Sequence, residues 1–153
     1  MTRDYDSVSI CLSKGLGAPV GSVLVGSQDF IDQAHRWRKM FGGGMRQSGI
    51  LAAAGIYALE NNVERMEDDH RRARAIAQAI DEMDHVSVDL DAVQTNMVYF
   101  SASKYSANEV SQKMAKAGID MFDISPTHCR IVTHLHITDE DVNRVIELLS
   151  NLN

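Results

Sequence analysis

Ser9-Ile10-Cys11-Leu12-Ser13-Lys14-Gly15-Leu16-Gly17-Ala18-Pro19-Val20-Gly21-Ser22 contains a lysine leaving an apolar stretch for a glycine-containing loop. Upstream, Ser7-Val8-Ser9-Ile10-Cys11-Leu12 alternates with period two and reads as a strand; Gly21 to Gly26 reads as a second. Lys14 therefore sits at a strand end, with Leu12, Leu16, Ala18 and Val20 nearby. These neighbours are expected to withdraw the amine from water and favour its neutral form. A neutral amine can attack a carbonyl carbon, whereas an ammonium cannot. By spacing alone, a solvated surface lysine fits the same position. Gly15, Gly17 and Gly21 read equally as turn residues or as room for a ligand, because the full spacing of a phosphate loop is missing.

Outward from this loop, Ser27 is placed to cap a helix from Gln28 to about Lys39, with Phe30, Ile31, Ala34 and Trp37 as its apolar face. Gly42-Gly43-Gly44 should stop it, and a second helix is expected from near Met45 to Leu59 or beyond. Asn61 and Glu64 have capping-box spacing for a long helix ending near Met83. Short strands follow at Val86–Val88 and Thr95–Phe100, then a helix capped by Ser106 with Glu109. Strand-like stretches cover Ile119–Ile124 and Cys129–Ile137, and a last helix opens with the pair Thr138 and Asp141. The expected class is α/β. Residues 1–60 form an incomplete large-domain segment, 61–84 a connecting long helix, and 85–153 a small carboxyl-terminal α/β domain with an antiparallel or mixed sheet. Two short strands among long helices need neighbours to pair their backbone groups, so further strands are expected to be missing from the first part.

With 153 residues and 44% apolar content, the chain can bury a core. A net charge of -6 argues against nucleic acid as a partner. Cys11 and Cys129 are far apart without metal-ligand spacing and read as free thiols of a reducing compartment. The longest nearly apolar run, Ile50–Leu59, is too short to span a bilayer, so no membrane association and a cytoplasmic location are expected.

Two groups of residues carry further chemistry. His35, Arg36, Arg38 and Lys39 precede Gly42-Gly43-Gly44-Met45-Arg46-Gln47; Lys39 and Arg46 supply cations for an anion, and a helix starting near Met45 would add its positive end. A solvated basic helix face is the plainer reading. Arg130 opens an alternating strand, where a guanidinium can grip a carboxylate through parallel hydrogen bonds or serve as surface charge. His134 and His136 share a strand face two apart, but no third ligand has diagnostic spacing, so no metal is expected. His70 reads as part of a charged solvent face, and no serine has the context of a nucleophile elbow.

The Ser9–Ser22 run resembles the lysine segment of low-specificity L-threonine aldolases, pyridoxal-phosphate enzymes with the aspartate-aminotransferase fold. Arg36-Trp37-Arg38-Lys39-Met40, the stretch Gly42–Ala53, Asp69-His70, Thr95-Asn96-Met97 and Arg130-Ile131-Val132-Thr133-His134 extend the match. The resemblance implies a partial aspartate-aminotransferase-like large domain followed by the small carboxyl-terminal domain. It also implies pyridoxal 5'-phosphate joined to Lys14, a substrate carboxylate on Arg130, and Lys39 and Arg46 near the cofactor phosphate, on the same or an adjoining subunit. A β-hydroxy amino acid substrate and a homo-oligomer are expected. So is an absent amino-terminal segment carrying the other cofactor-binding groups, which makes this chain a carboxyl-terminal portion.

Overall fold

A computed structural model describes residues 4–152, which form two compact units whose sequence boundary lies between Glu64 and Arg65. In the first unit, β1 (Ser7–Cys11) pairs antiparallel with β2 (Ser22–Gly26) in the register Ser7↔Gly26 to Cys11↔Ser22. Among the described residues they pair with each other as a two-stranded sheet, without the further neighbours that such strands are expected to have. The intervening loop makes this possible: Leu12 N–H donates to Gly21 C=O and Ala18 N–H to Leu12 C=O, both at 3.0 Å. Gly21, at φ 106°, supplies a backbone conformation that costs other residues strain.

Ser27 caps α1 (Gln28–Met40), its hydroxyl accepting from Phe30 N–H. The helix ends at the glycines, with Gly42 at φ 82°. Its expected apolar stripe is not covered: no α1 residue is buried, and Trp37 stacks on Phe41 at 5.7 Å between centroids. Helix α2 (Gly49–Asn61) begins at Gly49 rather than near Met45. Between them Met45 N–H bonds to Gly43 C=O and Gln47 takes φ 51°, so the chain turns before helical bonding can start. The expected Asn61 capping box does not form. Asn61 is the last residue of α2, and its amide donates to Tyr57 C=O at 2.8 Å.

The second unit contains α3 (Met66–Asp81), β3 (Val86–Val88), a 3-10 turn (Leu90–Ala92), β4 (Met97–Ala102), α4 (Ala107–Lys116), β5 (Phe122–Asp123), β6 (Cys129–Val132) and α5 (Asp139–Ser150). Its sheet has the order β3-β4-β6-β5 and is antiparallel throughout. Helix α3, read from sequence as a connector, supplies Ala73, Ile76, Ala77 and Ile80 to the core of this unit. They join Val98, Phe100, Cys129 and Ile131 from the sheet, Val110 and Met114 from α4, and Val142 and Leu149 from α5. Alternation along β6 buries Cys129 and Ile131 and turns Arg130 to the other face.

Two expected strands are shorter than their patterns suggest. β5 keeps only Phe122–Asp123, and β6 stops at Val132. The next residue, Thr133, is held by its own bonds: its hydroxyl donates to Asp69 C=O at 2.7 Å, and its N–H to Asn96 C=O at 2.9 Å. His134 and His136 therefore lie beyond the strand, in a turn, edge to face at 5.7 Å. Among the described residues, no helix is long and apolar enough to cross a membrane.

Candidate active-site residues

Lys14 stands where β1 runs out. Gly17 N–H donates to Lys14 C=O at 2.8 Å, closing a tight turn in which Gly17 has φ 73°. The expected desolvation is not present. Leu12, Leu16 and Ala18 are buried, whereas Lys14, Val20 and Ser13 are exposed. Leu12 lies against α2, where a methyl group added at Gly55 would approach its Cδ1 to 3.0 Å. The amide of Asn62 donates to Leu16 C=O at 2.7 Å, tying the loop to the end of the same helix. The apolar neighbours thus anchor the loop, and the amine projects from it.

Lys39, at the end of α1, and Arg46, beyond the glycines, line one depression of ≈ 470 Å³ with His35, Arg36, Arg38, Met40, Gly44 and Met45. Gly44 leaves room for Lys39: a Cβ there would meet Lys39 Cδ at 2.6 Å and Nζ at 3.1 Å. Gly43 N–H bonds to Arg38 C=O at 2.8 Å, bending the chain back so that Arg46 returns towards α1. Convergent cations in a concavity suit a multiply charged anion such as a phosphate. The positive end of α2 is not in the lining, because that helix starts only at Gly49. Lys14 is not among the lining residues either.

Arg130 belongs to the second unit. It pairs with Tyr99 of β4 on one side and Phe122 of β5 on the other, so these three side chains share the sheet face opposite the core. Its guanidinium carbon lies 5.0 Å from the centre of the Phe122 ring. Its Nε is buried without a hydrogen-bond partner, and among the described residues no carboxylate forms an ion pair with it. A guanidinium lacking an acidic partner suits a carboxylate ligand. His128, beside it in sequence, is engaged by the Thr127 hydroxyl at 2.9 Å.

The model of a family described as beta-eliminating lyase matches residues 1–103. The chain belongs to the beta-eliminating lyase family. It is 48% identical over 145 residues to the low specificity L-threonine aldolase of Escherichia coli (strain K12), covering 95% of this chain and 42% of that protein. It is 43% identical over 146 residues to low-specificity L-threonine aldolase 1 of Arabidopsis thaliana, covering 94% of this chain and 41% of that one. The chain therefore spans about two fifths of the length of these relatives. Among solved structures, a cysteine desulfurase from Thermococcus onnurineus aligns with TM-score 0.74 at 17% identity, over 96% of this chain and 46% of that one. A structure from Exiguobacterium sp. 255-15, assigned as an aromatic amino acid beta-eliminating lyase/threonine aldolase, gives TM-score 0.76 at 19% identity, over 95% and 44%. These establish the α/β architecture of fold-type I pyridoxal-phosphate enzymes, and pyridoxal phosphate is the cofactor characteristic of the family.

The residue types present suit the two groups of that cofactor, its aldehyde and its phosphate, at separate places. A projecting amine on an anchored loop can carry it, and the depression holding Lys39 and Arg46 has charge of the right sign for its phosphate. Sequence reading singled out these cations and the triple glycine, but not the way Gly44 gives Lys39 its space, and it missed Phe122, which packs on Arg130. The triple glycine was a signal for the first. For the second there was none, because Phe122 meets Arg130 only through strand register.

Proposed function

We propose that the complete enzyme cleaves L-threonine and L-allo-threonine reversibly to glycine and acetaldehyde, with this chain supplying part of its active site. The observation carrying this reading is the outward presentation of Lys14 on a loop that Gly17, Gly21 and Asn62 hold in place. Likeness to low-specificity threonine aldolases supplies the reaction type. In this reading Lys14 is the point of covalent attachment for pyridoxal phosphate, and Lys39 and Arg46 neutralise its phosphate. Arg130 grips the substrate carboxylate and fixes the amino acid's orientation. Pyridoxal phosphate held by these residues would supply an electron sink for cleavage of the bond between the α and β carbons. The β-hydroxyl proton would pass to a histidine of the additional polypeptide or to an ordered water.

Lys14 is exposed, and both it and the exposed valines and leucine of β2 need cover. We assign that role to additional polypeptide, corresponding to the amino-terminal part of a full-length enzyme, and to a second copy in a homo-oligomer. Exposed Met40, Phe41, Met45 and Ile50 support an interface. The same exposure favours a second reading, a non-catalytic module that associates through its first unit. A related lyase for another β-hydroxy amino acid shares every residue role and differs only in the side chain accepted.

One experiment separates these readings. The full-length enzyme is incubated with pyridoxal phosphate, reduced with borohydride and digested, and the labelled peptide is located by mass; aldehyde release by the same full-length enzyme is measured from L-threonine, L-allo-threonine and L-phenylserine, and this chain alone is tested beside it for partner binding. Label on Lys14, lost in Lys14→Ala, with acetaldehyde from the threonines, is the expected result. Stable binding of a partner with neither label nor aldehyde supports the non-catalytic module, and preferential cleavage of phenylserine supports the related lyase.

A further inference from the structure

We propose that Phe122 is a positioning residue for Arg130, holding the guanidinium by its face so that its edge stays open for the substrate carboxylate. The inference rests on the assignment of Arg130 to that carboxylate. A guanidinium carries five N–H donors in its plane, of which a bidentate carboxylate takes two, so a hydrogen-bonding neighbour fixes it by occupying part of the edge. An aromatic ring fixes it without using any. The Arg130 carbon lies 5.0 Å from the Phe122 ring centre, inside the ~6 Å range of cation–π attraction. The buried Nε has no hydrogen bond, so none fixes the guanidinium plane at its root.

The strand that carries the ring is fixed from both sides. β5 has only Phe122–Asp123, yet Phe122 is in register with Arg130 and Asp123 with Cys129. Before it, the Ser111 hydroxyl donates to Met121 C=O at 3.2 Å, and the Met121 side chain is in the core. After it, the Asn108 amide donates to the Asp123 carboxylate at 3.0 Å. Two bonds from α4 thus brace a two-residue edge strand whose exposed side chain is a phenylalanine. This side chain lies outside the hydrophobic core cluster, and its ring meets the guanidinium.

The test compares Phe122→Leu, Phe122→Met and Phe122→Tyr with Arg130→Lys. In the cofactor-free chain, side-chain nitrogen NMR should show the Arg130 Nε–H proton shifted upfield by the ring, a shift lost in Phe122→Leu and Phe122→Met and kept in Phe122→Tyr. In the cofactor-loaded assembly, Phe122→Leu and Phe122→Met should raise KM for L-threonine about three- to tenfold with kcat little changed. Phe122→Tyr should remain near the parent, and the methionine variant supplies the comparison if the leucine variant misfolds. Arg130→Lys decides the underlying assignment: an unchanged KM there removes the carboxylate role of Arg130, whatever Phe122 does. A raised KM in Arg130→Lys together with parent-like KM in both ringless variants overturns the role of Phe122 alone. So does an Arg130 proton that does not respond to losing the ring.

Discussion

At Gly44 a single hydrogen atom decides where a charge sits. A methyl group there would fall 2.6 Å from Lys39 Cδ, but that atom belongs to a flexible chain. Gly44→Ala should therefore move the amine while leaving the fold alone. We expect an unchanged unfolding midpoint and a Kd for pyridoxal phosphate raised about fivefold, the cost of one weakened charge-assisted hydrogen bond, measured by fluorescence titration. A parent-like Kd would remove Lys39 from the phosphate site. The two thiols differ in the same local way. Burial, with the Asp123 charge second, pushes Cys129 up to about 11, whereas hydrogen bonding to Ser13 holds the half-buried Cys11 below its ordinary value. Since the thiolate is the nucleophile, iodoacetamide at pH 8 should label Cys11 well before Cys129 in the folded protein, and Ser13→Ala should slow that labelling. For Cys129 the sign follows from the raised value. The unfolded thiol ionises near 9.0 and the folded one near 11, so its contribution to stability is whole below pH 9 and lost as pH rises towards 11.

Helices α4 and α5 start with reciprocal capping boxes. The Ser106 hydroxyl accepts from Glu109 N–H, and the Glu109 carboxylate accepts from Ser106 N–H at 2.9 Å and from its hydroxyl at 2.7 Å. Thr138 and Asp141 repeat the arrangement. The Ser106 hydroxyl and then its N–H hold Glu109 below the usual carboxylate range, while the Thr138 N–H and then its hydroxyl do the same for Asp141. A lowered folded value means this stabilisation is present above the ordinary carboxylate range and lost as pH falls through the lowered one. Ser106→Ala and Thr138→Ala should each cost about 1 kcal/mol in urea unfolding at neutral pH, and the difference from the parent should shrink near pH 3.

Both boxes were legible in the sequence because their bonds join residues three apart. The end of β6 was not, because Thr133 is drawn off the strand by Asp69, 64 residues earlier. The pairing of β1 with β2 was hidden for a related reason: alternation marks a strand without naming its partner, and loop closure through Leu12 decides it. The same limit applies at the site. Lys14, Lys39, Arg46 and Arg130 were readable as residue types in motifs, but the direction taken by Leu12, Leu16 and Ala18 depends on α2, which local sequence does not encode.

Across the whole chain, the two units bury very different amounts of apolar surface. Among the described residues up to Glu64, the buried apolar side chains are Leu12, Leu16, Ala18 and Ala58, three of the four being leucine or alanine in one loop. The second unit buries Ile76, Ile80, Val98, Phe100, Val110, Met114, Ile131 and Leu149 in one cluster. A unit of about 60 residues is marginal even with a good core, because chain entropy opposes folding in proportion to length while burial falls short. A chain of residues 65–153 alone should therefore unfold cooperatively in urea, whereas residues 1–64 alone should show no cooperative transition and should bind a hydrophobic dye. A sharp transition in 1–64, or a featureless one in 65–153, would contradict this division. The consequence for chemistry is an asymmetry: Arg130 rides on a sheet packed on a full core, while the Lys14 loop is tied to a unit that buries few apolar side chains, and on the proposed reading partner polypeptide over β2 would stiffen it further. Added partner should accordingly protect the amides of Leu12, Gly17 and Ala18 from hydrogen exchange far more than those of β6, and uniform protection across both would show that the first unit was already complete.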